Sequence, residues 1–113
     1  MVATNKLQKA PPFPVSQALT RLGANLRTAR VRRKMTIADV ADRIGTGPRA
    51  VMDAEKGKAS TGIVVYASLL WAYDLLQTFE DLADPSKDKE GLSLQSAREP
   101  KRVRKSGKLD NDF

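Results

Sequence analysis

The sequence predicts an all-α fold of five short helices, and three observations lead to this prediction. Apolar residues in the middle of the chain recur every three or four positions, which is the spacing of an amphipathic helix. No stretch alternates apolar and polar residues for long enough to form a strand. With 113 residues, the chain has room for one modest domain and its tails.

Composition divides the chain into an arm, a domain and a tail. Residues 1–15 are predicted to form a flexible basic arm, because three prolines oppose a helix there: Pro11, Pro12 and Pro14. Residues 85–113 are poor in large apolar side chains, so we expect a tail that is largely extended or disordered. The domain that can bury a core then occupies residues 16–84.

The first two helices follow from apolar spacing and from capping residues. The first is predicted over residues 16–33, where apolar side chains lie three or four positions apart: Leu19, Leu22, Leu26 and Ala29. The second covers residues 37–44, with Thr36 as its N-cap. Asp39 stands three positions after Thr36 and can complete a capping box.

Glycine-containing breaks separate the remaining three helices. The third is predicted over residues 48–55 and begins with a proline, which suits a first position because no N–H partner is needed there. Ser60 or Thr61 can cap a fourth helix that continues to Tyr73. A fifth helix is predicted over residues 75–83.

The charge balance indicates a polyanionic partner. The chain carries 20 Lys and Arg against 13 Asp and Glu, a net charge of +7, which suits nucleic acid or an acidic membrane surface. The sequence contains no Cys and no His, which excludes disulfides, a thiol nucleophile, a Ser-His-Asp triad and the usual zinc ligands. Its longest apolar run, residues 63–73, is too short to span a bilayer. We therefore expect a cytoplasmic binding protein rather than an enzyme, with no cofactor, no metal and no membrane association.

The second and third helices, with the short turn between them, have the pattern of a helix-turn-helix unit. Ala41 is small enough to let the two helices cross closely. Gly45 can adopt the positive φ that the turn requires. Ile44 and Val51 are apolar and can fill the wedge between the helices. Units of this kind place their second helix in the DNA major groove.

A wider set of residues accompanies this unit: Leu26, Arg27, Arg30, Met35, Thr36, Ala41, Gly45 and the run Glu55-Lys56-Gly57. On these residues the chain resembles the XRE-type (Cro/cI-like) helix-turn-helix regulators over roughly residues 22–75. Four segments are also similar to HipB-type antitoxins, which accompany HipA-like kinase toxins: 55–58, 69–72, 80–85 and 109–113. The resemblance implies a five-helix lambda-repressor-like domain, a homodimer, double-stranded operator DNA and a HipA-like kinase toxin as partner.

In that family the third helix enters the major groove, so the resemblance implies DNA contacts in and around it. The predicted DNA-binding residues are Arg33, Lys34, Thr36, Thr46, Gly47, Pro48, Arg49, Met52, Lys56 and Lys58. Arg49 is suited to pair with guanine O6 and N7, and Met52 to contact a thymine methyl group. Alternatively, the basic residues are solvated charges and the threonines are plain helix caps. Asp53 would repel phosphate unless it accepts a hydrogen bond from cytosine N4.

Two further predictions concern how the domain holds together and how it pairs. Arg30 and Glu55 match a family pair that joins the first helix to the end of the third, which predicts a structural ion pair. The apolar segment 63–76 is expected to be mostly core and partly a two-fold interface. The predicted interface residues are Val65, Leu69, Trp71, Leu76 and Phe79. For Trp71 itself, a place in the core is favoured over the interface.

The tail changes from a basic run to an acidic end that carries apolar residues. Docking to the toxin is predicted for Arg102, Arg104, Leu109 and Phe113, and the alternative is a solubilising tail. The leading hypothesis is a dimeric antitoxin that represses its own operon and binds the kinase toxin. The alternatives are a stand-alone XRE-type repressor without a toxin partner, and a protein-interaction module with degraded DNA specificity.

Overall fold

A computed structural model describes residues 6–99, and every regular element within that range is helical. The helices are α1 (Lys6–Lys9), α2 (Phe13–Arg32), α3 (Ile37–Ile44), α4 (Pro48–Glu55), α5 (Ile63–Ala72), α6 (Leu76–Glu80) and α7 (Lys89–Arg98), with a 3-10 turn at Pro85–Lys87. The predicted all-α class is thus confirmed for this part of the chain. The described residues form two units, 6–80 and 81–99.

Helix α2 begins earlier than the sequence predicts. Its first residue is Phe13, and Pro14 lies in the first turn. A proline is tolerated there because the N–H groups of a first turn have no intrahelical partner to lose. Backbone N–H groups of Val15 and Ser16 donate to the carbonyl of Pro12 at 2.9 and 3.1 Å. The prediction of a non-helical arm over residues 1–15 is therefore wrong for residues 6–9 and 13–15.

The core of the first unit lies between α2, α3, α4 and α5. Its buried apolar side chains are Leu26, Ala29, Val40, Ala41, Val51, Ala54, Tyr66, Leu69, Leu70 and Tyr73. Helix α2 packs on α4 at a glycine, where a Cβ on Gly23 would lie 2.5 Å from the carbonyl oxygen of Glu55. Any larger residue at position 23 would therefore push the two helices apart.

The last two predicted helices of the domain are shorter than expected. Gly62, rather than Ser60 or Thr61, is the N-cap of α5, and it makes no side-chain capping bond. Helix α5 ends at Ala72, and α6 ends at Glu80 instead of residue 83. No helix in the described range is long and apolar enough to cross a membrane.

The second unit is helical where the sequence predicts an extended tail. The Asp84 carboxylate accepts a hydrogen bond from the Ser86 N–H at 2.9 Å, and that of Asp88 accepts one from the Gly91 N–H at 2.9 Å. These aspartates satisfy N–H groups that a helix start leaves unpaired, which favours helix without a core. The prediction for residues 85–113 is therefore wrong at 85–87 and 89–98, where no side chain is buried.

A candidate nucleic-acid interface

Helix α3 starts with the predicted capping box. The Asp39 N–H donates to the Thr36 hydroxyl oxygen at 3.0 Å, and the Thr36 N–H donates to the Asp39 carboxylate at 3.0 Å. The bond from the Thr36 N–H stabilises the charged carboxylate, and together with the nearby Thr36 hydroxyl it lowers the pKa of Asp39. The hydroxyl of Thr36 is thus engaged in capping, the alternative role that the sequence left open for it.

The turn between α3 and α4 is built on one left-handed glycine. Gly45 has φ 82° and ψ 36°, and its N–H donates to the Ala41 carbonyl at 3.0 Å. The Thr46 N–H donates to the same carbonyl at 2.9 Å. A Cβ on Gly45 would lie in open space, so its positive φ, and not crowding, is what requires glycine. The predicted role of Gly45 is confirmed.

The inner faces of the two helices fill the space between them. Ala41 and Val51 are buried, and Ile44 is partly buried against the core. These contacts leave the opposite side of α4 uncovered. The side chains of Pro48, Arg49, Met52 and Lys56 are exposed there. The sequence had assigned all four to DNA contact.

Arg49 is available for an external partner. It makes no hydrogen bond or ion pair with any described residue. It follows Gly47 and Pro48, at the start of α4, where N–H groups and the helix dipole favour an anion. A cation and a helix N-terminus therefore lie together on the exposed side of the unit.

Two predicted DNA-binding cations have partners within the chain. A guanidinium N–H of Arg33 donates to the Ala29 carbonyl at 2.9 Å, and the group lies 5.7 Å from the centre of the Tyr73 ring. The Lys58 ammonium lies 3.6 Å from the Asp53 carboxylate. Lys34, by contrast, is exposed and has φ 56° just after the end of α2.

The predicted ion pair between Arg30 and Glu55 is present and buried. The Arg30 Nε donates to one carboxylate oxygen at 2.6 Å and a terminal nitrogen donates to the other at 3.1 Å. A third bond runs to the Met35 carbonyl at 2.9 Å. Both side chains are no more than 10% exposed, and the pair raises the pKa of Arg30. The pair fixes the C-terminal end of α4 on α2, so that α4 is held in one orientation.

Helix α5 has one apolar face in the core and another that is exposed. The predicted dimer interface includes residues from both faces. Leu69 is fully buried in the core of one chain, so its assignment to an interface is wrong. Trp71 is 53% exposed, so its favoured assignment to the core is wrong as well. Of the three other predicted interface residues, Val65 and Phe79 pack partly against the core, and Leu76 is half-buried.

The outer face of α5 contains residues that the sequence analysis missed. Ile63 and Val64 are exposed at its N-terminal end. Ile63, Ala67 and Trp71 are four positions apart, which places them on one side of the helix. Over Trp71 lies the guanidinium of Arg43, 5.5 Å from the ring centre. Spacing alone could not single out this face in the sequence, because α5 is apolar nearly all round.

The four residues that the sequence predicts to dock a toxin lie outside the described residues: Arg102, Arg104, Leu109 and Phe113. Within residues 6–99 no cluster of acidic side chains could hold a metal ion. No family model, no curated protein and no solved structure matches this chain. The function is therefore inferred from the geometry of α3, α4 and α5.

Proposed function

We propose that the chain is a dimeric, sequence-specific DNA-binding repressor that contacts its operator through α4. One observation carries the proposal: of the two helices joined by the Gly45 turn, the second exposes an arginine at its start. Arg49 has no partner among residues 6–99, while the buried Arg30–Glu55 pair holds α4 against α2. Because the helix is already held in place, little backbone entropy is lost when its arginine pairs with a base.

The exposed side of α4 supplies two kinds of base contact. The Arg49 guanidinium can donate two parallel hydrogen bonds to guanine O6 and N7, and Met52 can cover a thymine methyl group. Lys34 and Lys56 are exposed cations suited to phosphate. The arrangement favours DNA over an acidic membrane, because the exposed apolar side chain beside Arg49 is a single methionine.

The dimer is proposed to form through the outer face of α5, with Ile63, Val64 and Trp71 against a second copy. Such an interface buries exposed apolar side chains that the core leaves uncovered. A two-fold dimer also presents two copies of α4. A pseudo-palindromic operator can bind both of them when they lie about 34 Å apart.

We further propose that this repressor is an antitoxin for a HipA-like kinase. This step is supported by the similarity of segments 55–58, 69–72, 80–85 and 109–113 to HipB-type antitoxins. Deleting residues 109–113 should then weaken the capture of a HipA-like kinase whose gene lies beside the gene of this protein. If capture is unchanged by the deletion, the docking assignment fails. If no such kinase is bound at all, the stand-alone repressor is the better description.

The test of DNA binding is a titration of the protein against the duplex upstream of its own gene. A shuffled duplex of the same composition serves as competitor, and each titration is repeated at two salt concentrations. Arg49→Ala should cost about 1–3 kcal/mol on the upstream duplex and lower its preference over the shuffled one. Arg27→Ala removes an exposed arginine from α2 and should cost less than Arg49→Ala.

The outcomes separate specific from generic attraction. Selective binding that weakens with salt and with Arg49→Ala supports α4 as the DNA-contacting helix. Binding that is equal on both duplexes and indifferent to Arg49 would overturn the proposal and favour an interaction module whose positive charge is generic.

A further inference from the structure

Asp53 stands one helical turn after Arg49 on α4, where a carboxylate would oppose DNA binding if it faced phosphate. In the structure it is turned to Lys58. The two charged groups lie 3.6 Å apart, and the Asp53 side chain is 22% exposed. Its charge is therefore balanced within the chain.

Lys58 is held in place by more than this ion pair. Its backbone N–H donates to the Asp53 carbonyl at 3.0 Å. Its own carbonyl accepts a hydrogen bond from the hydroxyl of Tyr66, which is buried on α5, at 3.2 Å. These backbone contacts fix the loop that carries the ammonium group close to Asp53.

Lys56, two positions earlier, provides the contrast. It is exposed and forms no ion pair with any residue in the described range. The same short segment thus carries one unpaired lysine and one paired lysine. If both faced DNA, only Lys56 would bring its full charge to the phosphate backbone.

We propose that Asp53 sets the strength of sequence-independent DNA binding, because it pairs with Lys58 and so withdraws one cation from the phosphate backbone. This inference rests on the proposed function. Cations that neutralise phosphates strengthen binding to any sequence, whereas Arg49 strengthens binding to a chosen one. Pairing Lys58 internally therefore lowers the affinity for every duplex by about the same factor and leaves the selection of sequence to Arg49.

The inference predicts how the salt dependence changes in Asp53→Asn. Released Lys58 adds one phosphate contact, so the slope of log Kobs against log salt should steepen by about 0.9. Binding to the shuffled duplex should strengthen by roughly a factor of eight at 0.1 M salt. The preference for the upstream duplex over the shuffled one should stay unchanged, because the added phosphate contact forms on both. Asp42→Asn removes the same charge from the exposed side of α3 and is the matched control.

A second pair of variants separates pairing from simple repulsion. Lys58→Gln should flatten the salt slope less than Lys56→Gln does. In a Lys58→Gln background, Asp53→Asn should no longer strengthen non-specific binding. Thermal unfolding of each variant, followed by circular dichroism, verifies that the compared proteins are folded at the titration temperature.

Several results would overturn the inference while leaving the proposed function in place. They are an unchanged salt slope in Asp53→Asn, an equal gain in Asp42→Asn, or an equal gain in the Lys58→Gln background. The last of these would mean that the carboxylate acts by repelling DNA directly. If the unmodified protein shows no preference for its upstream duplex, the proposed function itself fails and the inference fails with it.

Discussion

Helices α4 and α5 each bury one face in the same core, but their outer faces differ in chemistry. On α4 the buried residues are Val51 and Ala54, and the outer face presents Arg49 and Lys56. On α5 the buried residues include Leu69 and Tyr66, and the outer face presents exposed apolar side chains: Ile63, Val64 and Trp71.

The difference between the outer faces of α4 and α5 shows which residues are constrained by folding and which are not. Folding requires only that each helix have an apolar inner face, and both helices meet that requirement. Their outer faces are free to vary, so their chemistry reports on what they contact. A cationic face suits a polyanion, and an apolar face suits another apolar surface.

The largest expected effect comes from the ion pair that joins α2 to the end of α4. Arg30→Ala should destabilise the fold by about 3–5 kcal/mol, because it leaves the Glu55 carboxylate buried without its partner. Urea denaturation measures the loss, and Arg27→Ala on the same helix is the control. An unchanged free energy of unfolding together with lost DNA binding would make Arg30 a DNA contact instead.

The next effect tests the apolar outer face of α5. Trp71→Ser should weaken the dimer by about 2 kcal/mol or more if this tryptophan is an interface anchor. Sedimentation equilibrium measures the dimer dissociation constant. Phe13→Ser removes another exposed aromatic residue, from α2, and should leave dimerisation unchanged. A monomer at micromolar concentration in the unmodified protein would exclude this interface.

A smaller effect sharpens the account of how α4 is positioned. Gly45→Ser should cost about 1–2 kcal/mol, because a side chain at φ 82° is strained. Gly47→Ser should stabilise the fold by a few tenths of a kcal/mol, since Gly47 is an N-cap with φ −83°. A Cβ meets nothing within 4 Å at either position, so crowding does not contribute to the difference between the two variants. Equal melting temperatures would contradict this reasoning.

The smallest effects concern two buried tyrosines. Tyr66 lies on α5, and Tyr73 directly follows its last residue. The Tyr73 hydroxyl is buried without a hydrogen-bond partner among the described residues, so Tyr73→Phe should change stability little at pH 7. Tyr66→Phe should cost about 1 kcal/mol, because it loses the bond to the Lys58 carbonyl. Urea denaturation at pH 7 measures the free energy of unfolding of both variants. A larger loss for Tyr73→Phe than for Tyr66→Phe would contradict this reasoning.

Alkaline pH provides a separate test of Tyr73. Burial raises the pKa of Tyr73 to about 12, from an ordinary value of 10.0. Between pH 10 and 12 the folded protein therefore keeps a proton that the unfolded chain releases. The contribution of Tyr73 to the free energy of unfolding should be complete below pH 10 and should decline as the pH rises from 10 to 12. Tyr73→Phe should make that decline less steep. An identical decline in the variant would contradict the raised pKa.

Local signals explain why α3, α4 and the turn between them could be predicted almost to the residue. The Thr36 capping box, the left-handed Gly45 and the helix-starting Pro48 all act on neighbouring backbone groups, and each is present in the structure. The ion pair of Arg30 and Glu55 could be predicted only through the family resemblance, because 25 positions separate its members.

The missed features depend on tertiary packing. Helix α5 is apolar on nearly all sides, so the sequence does not distinguish its outer face. Buried Leu69 was therefore assigned to the interface, and a core position was favoured for Trp71, which is exposed. The need for Gly23 arises from the close approach of α4, which no local pattern indicates. Helix α7 forms without a buried side chain, so apolar spacing gave no sign of it.

The central claim is that the outer faces of α4 and α5 contact different partners. Because the chain has no cysteine, a photoactivatable aryl azide can be attached at one chosen position, Met52→Cys on α4 or Ile63→Cys on α5. Illumination with the upstream duplex should then crosslink position 52 to DNA and position 63 to a second protein chain. Crosslinking of position 63 to DNA, or of position 52 to protein alone, would contradict the account.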